Sequence, residues 1–214
     1  MRLKRLTRRI QSIEEAYRLV HSFRCMGVDI APSQVGEEIK ELLRLLEKLT
    51  PRVCLEIGTA KGGTLFLFTM VADPSATLLS IDLPCGPFGG GYPAWKILVL
   101  KSLAKESQTI HCIRSDSRSL STLSDVRRIL SGRKVDFLFI DGDHTYEGVK
   151  GDFEMYAPLV NEGGMIAFHD IVPHPPDKPC KVDRFWQEIK SRFNYLEIVK
   201  DWKQGWAGIG VLYV

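Results

Sequence analysis

Acidic residues recur at one kind of place in this chain, at or just beyond the ends of short apolar runs. Glu56 closes the run that opens at Val53, Asp82 follows Thr77–Ile81, Asp116 follows Thr109–Arg114, Asp141 follows Val135–Ile140, and the pair His169-Asp170 follows Gly164–Phe168. Carboxylates at such points can accept hydrogen bonds from sugar hydroxyls, offset a cationic ligand or hold a hard divalent cation, and a histidine beside them can move protons. The first acid opens Glu56-Ile57-Gly58-Thr59-Ala60-Lys61-Gly62-Gly63-Thr64. There Gly58, Ala60 and Gly63 match a loosened G-x-G-x-x-G, a turn that brings a ligand against backbone N–H groups at a helix start.

These residues need a scaffold that sets them side by side, and the pattern of the chain predicts one. From Val53 onward, short apolar runs alternate with amphipathic stretches, the signature of strands and helices around a buried parallel sheet. Strands are expected at Val53–Ile57, Thr77–Ile81, Thr109–Arg114, Val135–Ile140, Gly164–Phe168, Tyr195–Lys200 and Gly208–Tyr213. Helices are expected near Thr64–Val71, Ala94–Lys105, Ser119–Leu130, Tyr146–Leu159 and Val182–Phe193. The result is an α/β fold with a Rossmann-like, doubly wound, seven-stranded sheet. Residues 201–207 are too few for a crossover helix, so the last strand is expected to turn back and run antiparallel. Residues 1–50 read as a helical cover and 51–214 as the Rossmann-like domain. In the cover, Ile39, Leu42, Leu43, Leu45, Leu46 and Leu49 form a wide apolar stripe that must pack on something. In open sheets of this kind ligands sit beyond the carboxyl ends of the strands, where the acids fall.

Composition narrows the class. The chain has 214 residues, 44% hydrophobic and 26% charged, with a formal net charge of +3. It is too apolar for a disordered chain, and its longest apolar runs fall well short of the roughly 20 residues of a spanning helix, so no integral membrane segment is expected. The mild net charge argues against nucleic acid as a partner. Arg2, Lys4, Arg5, Arg8 and Arg9 interleave with Leu3, Leu6 and Ile10 as a solvated face of an N-terminal helix, with an anionic partner or a membrane surface as the alternatives, and no apolar segment follows to make a secretory signal. The five cysteines, Cys25, Cys54, Cys85, Cys112 and Cys180, are odd in number, widely spaced and without a C-x-x-C pair. They fit reduced thiols in a cytoplasm better than a disulfide frame or a zinc site.

The charge on Glu56 bears on which cofactor the turn would take. A carboxylate there opposes the diphosphate of a dinucleotide. It suits S-adenosylmethionine (SAM), which carries an ammonium and a sulfonium and no phosphate, and whose methionine carboxylate can use the positive helix end near Gly62 and Gly63. Asp82 would then accept from both ribose hydroxyls, and Asp116 with Ser117 lies where an adenine amino group could donate.

Leu55–Thr64, Ser80-Ile81-Asp82-Leu83, Ser115-Asp116-Ser117, Phe139-Ile140-Asp141-Gly142-Asp143-His144 and Gly163–Asp170, taken in order, make the chain resemble the class I SAM-dependent methyltransferases from about residue 34 to the C-terminus. The resemblance is closest to the small O-methyltransferase branch that includes the catechol, caffeoyl-coenzyme A and cephalosporin-biosynthesis (CmcI-like) enzymes. It implies SAM held by Glu56, Gly58, Thr59, Ala60, Gly62, Gly63, Asp82, Leu83, Asp116, Ser117 and Asp141. It also implies a divalent metal, Mg²⁺ or Mn²⁺, at Asp141 and Asp170, with His169 as a third candidate. Imidazole suits Mn²⁺, Fe²⁺ or Zn²⁺ better than Mg²⁺. Catechol and caffeoyl relatives place a lysine three residues after the metal aspartate, an offset that holds His144 here. His144 and Asp141 are therefore the candidate catalytic residues, with His144 as the base and Asp143 as a helix cap or an alternative ligand.

The glycine-rich insertion Pro84–Pro93 reads as a lid or acceptor wall, and the loop Pro173–Pro179 as the opposite wall. Trp202 and Trp206 read as core or dimer packing ahead of the alternative of a substrate platform, which allows a homodimer. The expected function is methyl transfer from SAM to a hydroxyl of a small molecule such as a sugar, a phenol or a natural-product precursor. A nicotinamide-dependent oxidoreductase would share Gly58 and Asp82, although Glu56 and the reversed last strand oppose it. A non-haem iron hydroxylase would use His144 or His169 with Asp141, but on a β-barrel. The non-enzymatic alternative is a cofactor-binding protein without turnover.

Overall fold

Parallel strands buried on both faces should be largely apolar, and apart from the charged Glu56 in Val53–Ile57 and Asp136 in Val135–Ile140 the central runs are. In the computed structural model, which describes residues 10–25, 28–86, 90–105 and 107–214, they form the middle of a seven-stranded sheet. The basic cluster at residues 2–9 and the Pro87-Phe88-Gly89 tip of the glycine-rich insertion lie outside the described residues.

The elements in chain order are α1 (Ile13–Ser22), the short hairpin β1 (Arg24–Cys25) and β2 (Val28–Asp29), α2 (Gly36–Leu49), β3 (Val53–Ile57), α3 (Gly63–Val71), β4 (Thr77–Asp82), α4 (Lys96–Lys101), β5 (Thr109–Arg114), α5 (Leu120–Leu130), β6 (Val135–Ile140), α6 (Tyr146–Tyr156), β7 (Val160–His169), α7 (Val182–Ile189), β8 (Asn194–Ile198) and β9 (Ile209–Tyr213). The sheet order is β5-β4-β3-β6-β7-β9-β8. All neighbours through β7 pair in parallel, and β9 pairs antiparallel with both β7 and β8. The reversed last strand expected from the short 201–207 connection is present. It slots between β7 and β8 and leaves β8 at the edge.

Helices cover both faces. On one, α3 (GTLFLFTMV) is apolar all round, because its outer side is covered by α1 and α2 and its inner side by the sheet. Ile39, Leu42, Leu43 and Leu46 of α2 join Phe66, Phe68, Phe137 and Phe139 in one core, so the stripe read from the sequence finds its partner there. On the other face α5, α6 and α7 pack around Leu138, Ile140, Phe168 and Trp186. Phe137 is fully buried and meets Phe68 edge-on at 5.1 Å between ring centroids. Phe137→Ala should cost about 3–5 kcal/mol through the cavity and the lost aromatic contact, read as a fall in the urea midpoint. A loss under about 1 kcal/mol would show that this side of the core can collapse around the gap.

Several elements depart from expectation: α6 and α7 stop at Tyr156 and Ile189, each followed by a 3₁₀ turn, β8 is Asn194–Ile198, and two further cases have a visible cause. β7 starts at Val160, ahead of the expected Gly164, because Gly163 (φ +81°) bends the chain while its N–H donates to Val214 O at 2.7 Å. The pairing with β6 accordingly shifts register between Val135 and Phe137. Helix α4 ends at Lys101, before the expected Lys105, since Ser102 N–H turns inward to Val99 O at 3.0 Å and tightens the last turn.

Candidate active site

The doubly wound topology brings the carboxyl ends of β3 to β7 to one edge, and a cleft of about 590 Å³ opens there. Its size is that of a cofactor pocket. Gly58, Thr59, Ala60, Gly63, Asp82, Leu83, Asp116, Ser117, Asp141, His144, His169 and Asp170 all line it. Glu56 and Gly62, two further candidates, are not among the lining residues.

The β3–α3 turn explains its own glycines. Gly58 sits at φ +89°, and a Cβ on it would lie 1.9 Å from the Asp141 carbonyl oxygen, so the first and fourth strand-end loops touch backbone to backbone. Gly62 caps α3 at φ +90°. Ala60 also has positive φ (+44°), and its N–H donates to Asp82 Oδ2 at 2.6 Å. Asp82 accepts from Leu83 N–H as well, at 2.7 Å. Burial raises the Asp82 carboxyl, opposed by these backbone N–H groups.

Glu56 lies one layer beneath the cleft, 1% exposed, with its carboxylate accepting from the hydroxyls of Thr64 and Thr59. Burial raises its pKa to about 8. An acid that keeps its proton in the fold to about pH 8, but loses it near pH 4 when unfolded, subtracts stability as pH rises between those values. Glu56→Gln should therefore match the parent protein near pH 4 and melt on the order of 5 °C higher by pH 9, in scanning calorimetry. A gap that stays constant from pH 4 to 9 would show that Glu56 does not titrate in this range.

Asp116 is exposed, accepting from Arg118 N–H at 2.9 Å, and Ser117 offers its carbonyl to the Tyr156 hydroxyl at 2.6 Å. Under this corner Asp152 is fully buried on α6, where burial raises its carboxyl and Ser117 and Arg118 oppose the rise.

Beyond β6 and β7 the charges converge. Asp141 Oδ1 is 3.1 Å from His169 Nδ1 and 3.9 Å from His144 Nε2, while Asp141 Oδ2 accepts from Gln34 Nε2 at 2.7 Å. Asp170 Oδ2 is 2.6 Å from His144 Nδ1, and Asp170 Oδ1 accepts from Ala207 N–H at 2.9 Å with His169 Nδ1 and His174 Nε2 each at 3.5 Å. Asp170 holds a strained φ of +67°. Burial disfavours charge on His144, yet hydrogen bonds to Asp170 and Cys180 and the charges of Asp141 and Asp170 lift it to about 10. Burial also works against His169, but the same two carboxylates hold it well above the histidine range. Burial would raise Asp170, and the two histidines instead hold it far below the carboxylate range.

The cluster thus sets the carboxyl groups of Asp141 and Asp170 against the rings of His144 and His169, and a divalent cation placed there would meet the same two acids. His169 is buried, and although Asp141 is close, neither ring nitrogen has an aligned hydrogen bond among the described residues. Asp141, His169 and Asp170 each offer a donor atom within 4.8 Å of the others. Ligands about 2.1 Å from a cation at right angles are about 3 Å apart, close to the Asp141–His169 separation. The donor set fits a divalent ion.

Sequence reading missed Gln34, which ties the segment before α2 to Asp141, and Cys180, which the 171–180 loop returns to His144. Neither carries a local signal: they lie 107 and 36 positions from the residues they reach. Trp206 is outside the core and lines the cleft at 44% exposure, where the substrate-platform alternative would have it.

Residues 55–171, more than half of the chain, match the family described as "Methyltransferase domain". The chain is a member of that family. Its methyltransferase domain is 36% identical over 117 residues to an uncharacterised protein of Acanthamoeba polyphaga mimivirus, covering 54% of this chain and 50% of that protein. It is 27% identical over 150 residues to an uncharacterised protein of Sinorhizobium fredii, covering 69% of this chain and 16% of that one. The chain therefore spans half or less of the length of these curated relatives. Among solved structures, the methyltransferase domain shares its fold with an O-methyltransferase from Bacillus cereus in complex with SAH, at TM-score 0.64 and 17% identity over 96% of this chain and 93% of that one. It also matches the O-methyltransferase TomG from Streptomyces achromogenes in complex with SAM (0.63, 19%, 96% and 90%). A third match is a putative caffeoyl-CoA O-methyltransferase from Staphylococcus aureus (0.62, 16%, 97% and 94%).

Proposed function

We propose that this methyltransferase domain moves the methyl group of SAM to a hydroxyl of a small molecule, assisted by a divalent cation. One observation carries the reading. A single cleft is lined at the β3–β5 ends by the Gly58–Gly63 turn, Asp82 and Asp116, and at the β6–β7 ends by Asp141, His144, His169 and Asp170. When bound, SAM supplies an electrophilic sulfonium methyl and leaves as S-adenosylhomocysteine after the acceptor oxygen displaces it in line. A cation held by Asp141, His169 and Asp170 would supply positive charge that lowers the pKa of the acceptor hydroxyl.

The chain's own residues do the rest. Gly58, Gly62 and Gly63 let the turn approach the cofactor, with Thr59, Ala60 and Leu83 against it. Asp82 accepts ribose hydroxyls, and Asp116 and Ser117 meet the adenine. Glu56 orients the turn through Thr59 and Thr64 as a buried acid that keeps its proton to about pH 8, so the negative charge expected beneath a cationic ligand is not what it supplies at neutral pH. His144, its ring oriented by Asp170, takes the acceptor's proton once it has given up the one it holds in the ion-free cluster. The helical cover of residues 1–50 contributes Ala31–Gln34 to the cleft wall. A homodimer is supported by the edge strand β8, where Tyr195 and Leu196 are exposed. Cys54, Cys85, Cys112 and Cys180 are free thiols, which suits a cytoplasmic setting. No helix of the described residues is long and apolar enough to cross a membrane.

Calorimetric titration with SAM, with and without EDTA and added Mg²⁺ or Mn²⁺, followed by an acceptor screen with labelled methyl groups, tests the reading. Binding heat together with cation-dependent labelling of a hydroxyl compound is expected. Absence of SAM binding would sink the proposal, and labelling indifferent to EDTA would remove the cation from it.

A further inference from the structure

The loop that follows Asp170 runs outward through Pro173, Pro175, Pro176 and Pro179 and then returns, and Lys181 N–H donates to His144 O at 2.8 Å. That hydrogen bond sets Cys180, 5% exposed, against the His144 ring. One donor atom from each of His144, Asp170 and Cys180 lies within 4.8 Å of the others. This trio takes a thiol from the loop and shares only Asp170 with the oxygen-rich group described above.

We infer that His144, Asp170 and Cys180 form a binding site for a thiophilic divalent transition ion of the Zn²⁺ class. Sulfur, nitrogen and a carboxylate oxygen are the donors such ions select, and Mg²⁺ gains little from two of the three. Tetrahedral coordination with these ligands sets donor atoms about 3.3–3.7 Å apart, so the trio needs a rearrangement of about 1 Å, with the close His144–Asp170 contact opening. His174 Nε2, 3.5 Å from Asp170 Oδ1, is near enough to complete the shell. The inference rests on the proposed function only in taking Asp170 as a metal-binding carboxylate. It adds that an ion at this second position occupies His144, so thiophilic metals would block the residue assigned as base. It also replaces the sequence expectation of cysteines without a zinc role.

The test is spectroscopic and needs no acceptor. Full-length protein stripped with EDTA and titrated with Co²⁺ should bind one ion with intense tetrahedral d–d bands and a near-ultraviolet thiolate-to-cobalt charge-transfer band. Zn²⁺ should abolish both, and excess Mg²⁺ should leave them in place. Cys180→Ser should lose the charge-transfer band and weaken Zn²⁺ binding by at least about tenfold. Should that variant not fold, a Cys25→Ser, Cys85→Ser, Cys112→Ser triple variant that keeps the band assigns it by elimination to Cys180, since Cys54 is sealed inside β3. Cobalt binding without the charge-transfer band, no binding, or a band that survives Cys180→Ser would overturn the inference. A protein that shows the band but binds no SAM would leave the inference standing and sink the transferase reading.

Discussion

Gly58→Ala is expected to abolish SAM binding and to destabilise the fold by more than about 3 kcal/mol. Two costs add. At φ +89° any side chain carries the left-handed penalty of roughly 1 kcal/mol. The larger cost is steric, because the new Cβ would lie 1.9 Å from the carbonyl oxygen and 2.4 Å from the carbonyl carbon of Asp141. Neither strand can step aside: Gly58 N–H is bonded to Ile81 O at 2.9 Å and Asp141 N–H to Ile57 O at 2.8 Å. Relief would have to move the cofactor turn or Asp141, and both line the cleft. Gly132 is the control, with φ +83° and nothing within 4 Å of a built Cβ. Gly132→Ala should cost only about 1 kcal/mol and leave SAM affinity intact. Denaturant unfolding and calorimetry on both variants decide the matter, and equal losses would show that φ alone sets the cost.

Asp170→Asn is expected to lower methyl transfer by at least about a hundredfold while the protein still folds. Asparagine tolerates the φ of +67° and can still accept from Ala207 N–H, so the backbone anchor survives. What goes is the charge that faces His144 Nδ1 at 2.6 Å and His169 Nδ1 at 3.5 Å. Without it the histidines fall toward neutrality, and a divalent ion loses the donor shared by both ligand trios. The expected signature is loss of bound metal and of methyl labelling with SAM affinity within about threefold of the parent, since Asp82 and the glycine turn are untouched. Retained activity would remove Asp170 from the chemistry, and SAM affinity lost in proportion would make its role structural.

Much of the scaffold was legible because its signals are local. Central strands buried on two faces are largely apolar, and β3 and β6 begin and end where the sequence pattern places them, as does the edge strand β5. The reversed β9 followed from a connection too short for a helix. The limits of β7 and α4 were not legible, since each depends on a turn closed by distant or competing hydrogen bonds. Gly163 is held by Val214, and no spacing rule in the sequence joins them.

For the site, the sequence alone determined which residues arrive at the carboxyl edge. A parallel sheet delivers the end of every strand to one side, so an acid after each run must gather there. Only the tertiary structure decided what each acid faces. Glu56 turned down onto Thr59 and Thr64 and is not among the cleft's lining residues, Asp141 took Gln34 from 107 positions away, and Cys180 came back to His144 on a proline-rich loop. The place and type of each element are written in periodicity, which neighbours along the chain carry. Side-chain partnership is set by packing and charge between segments that share no local pattern, and here that decides which groups can hold a proton or an ion.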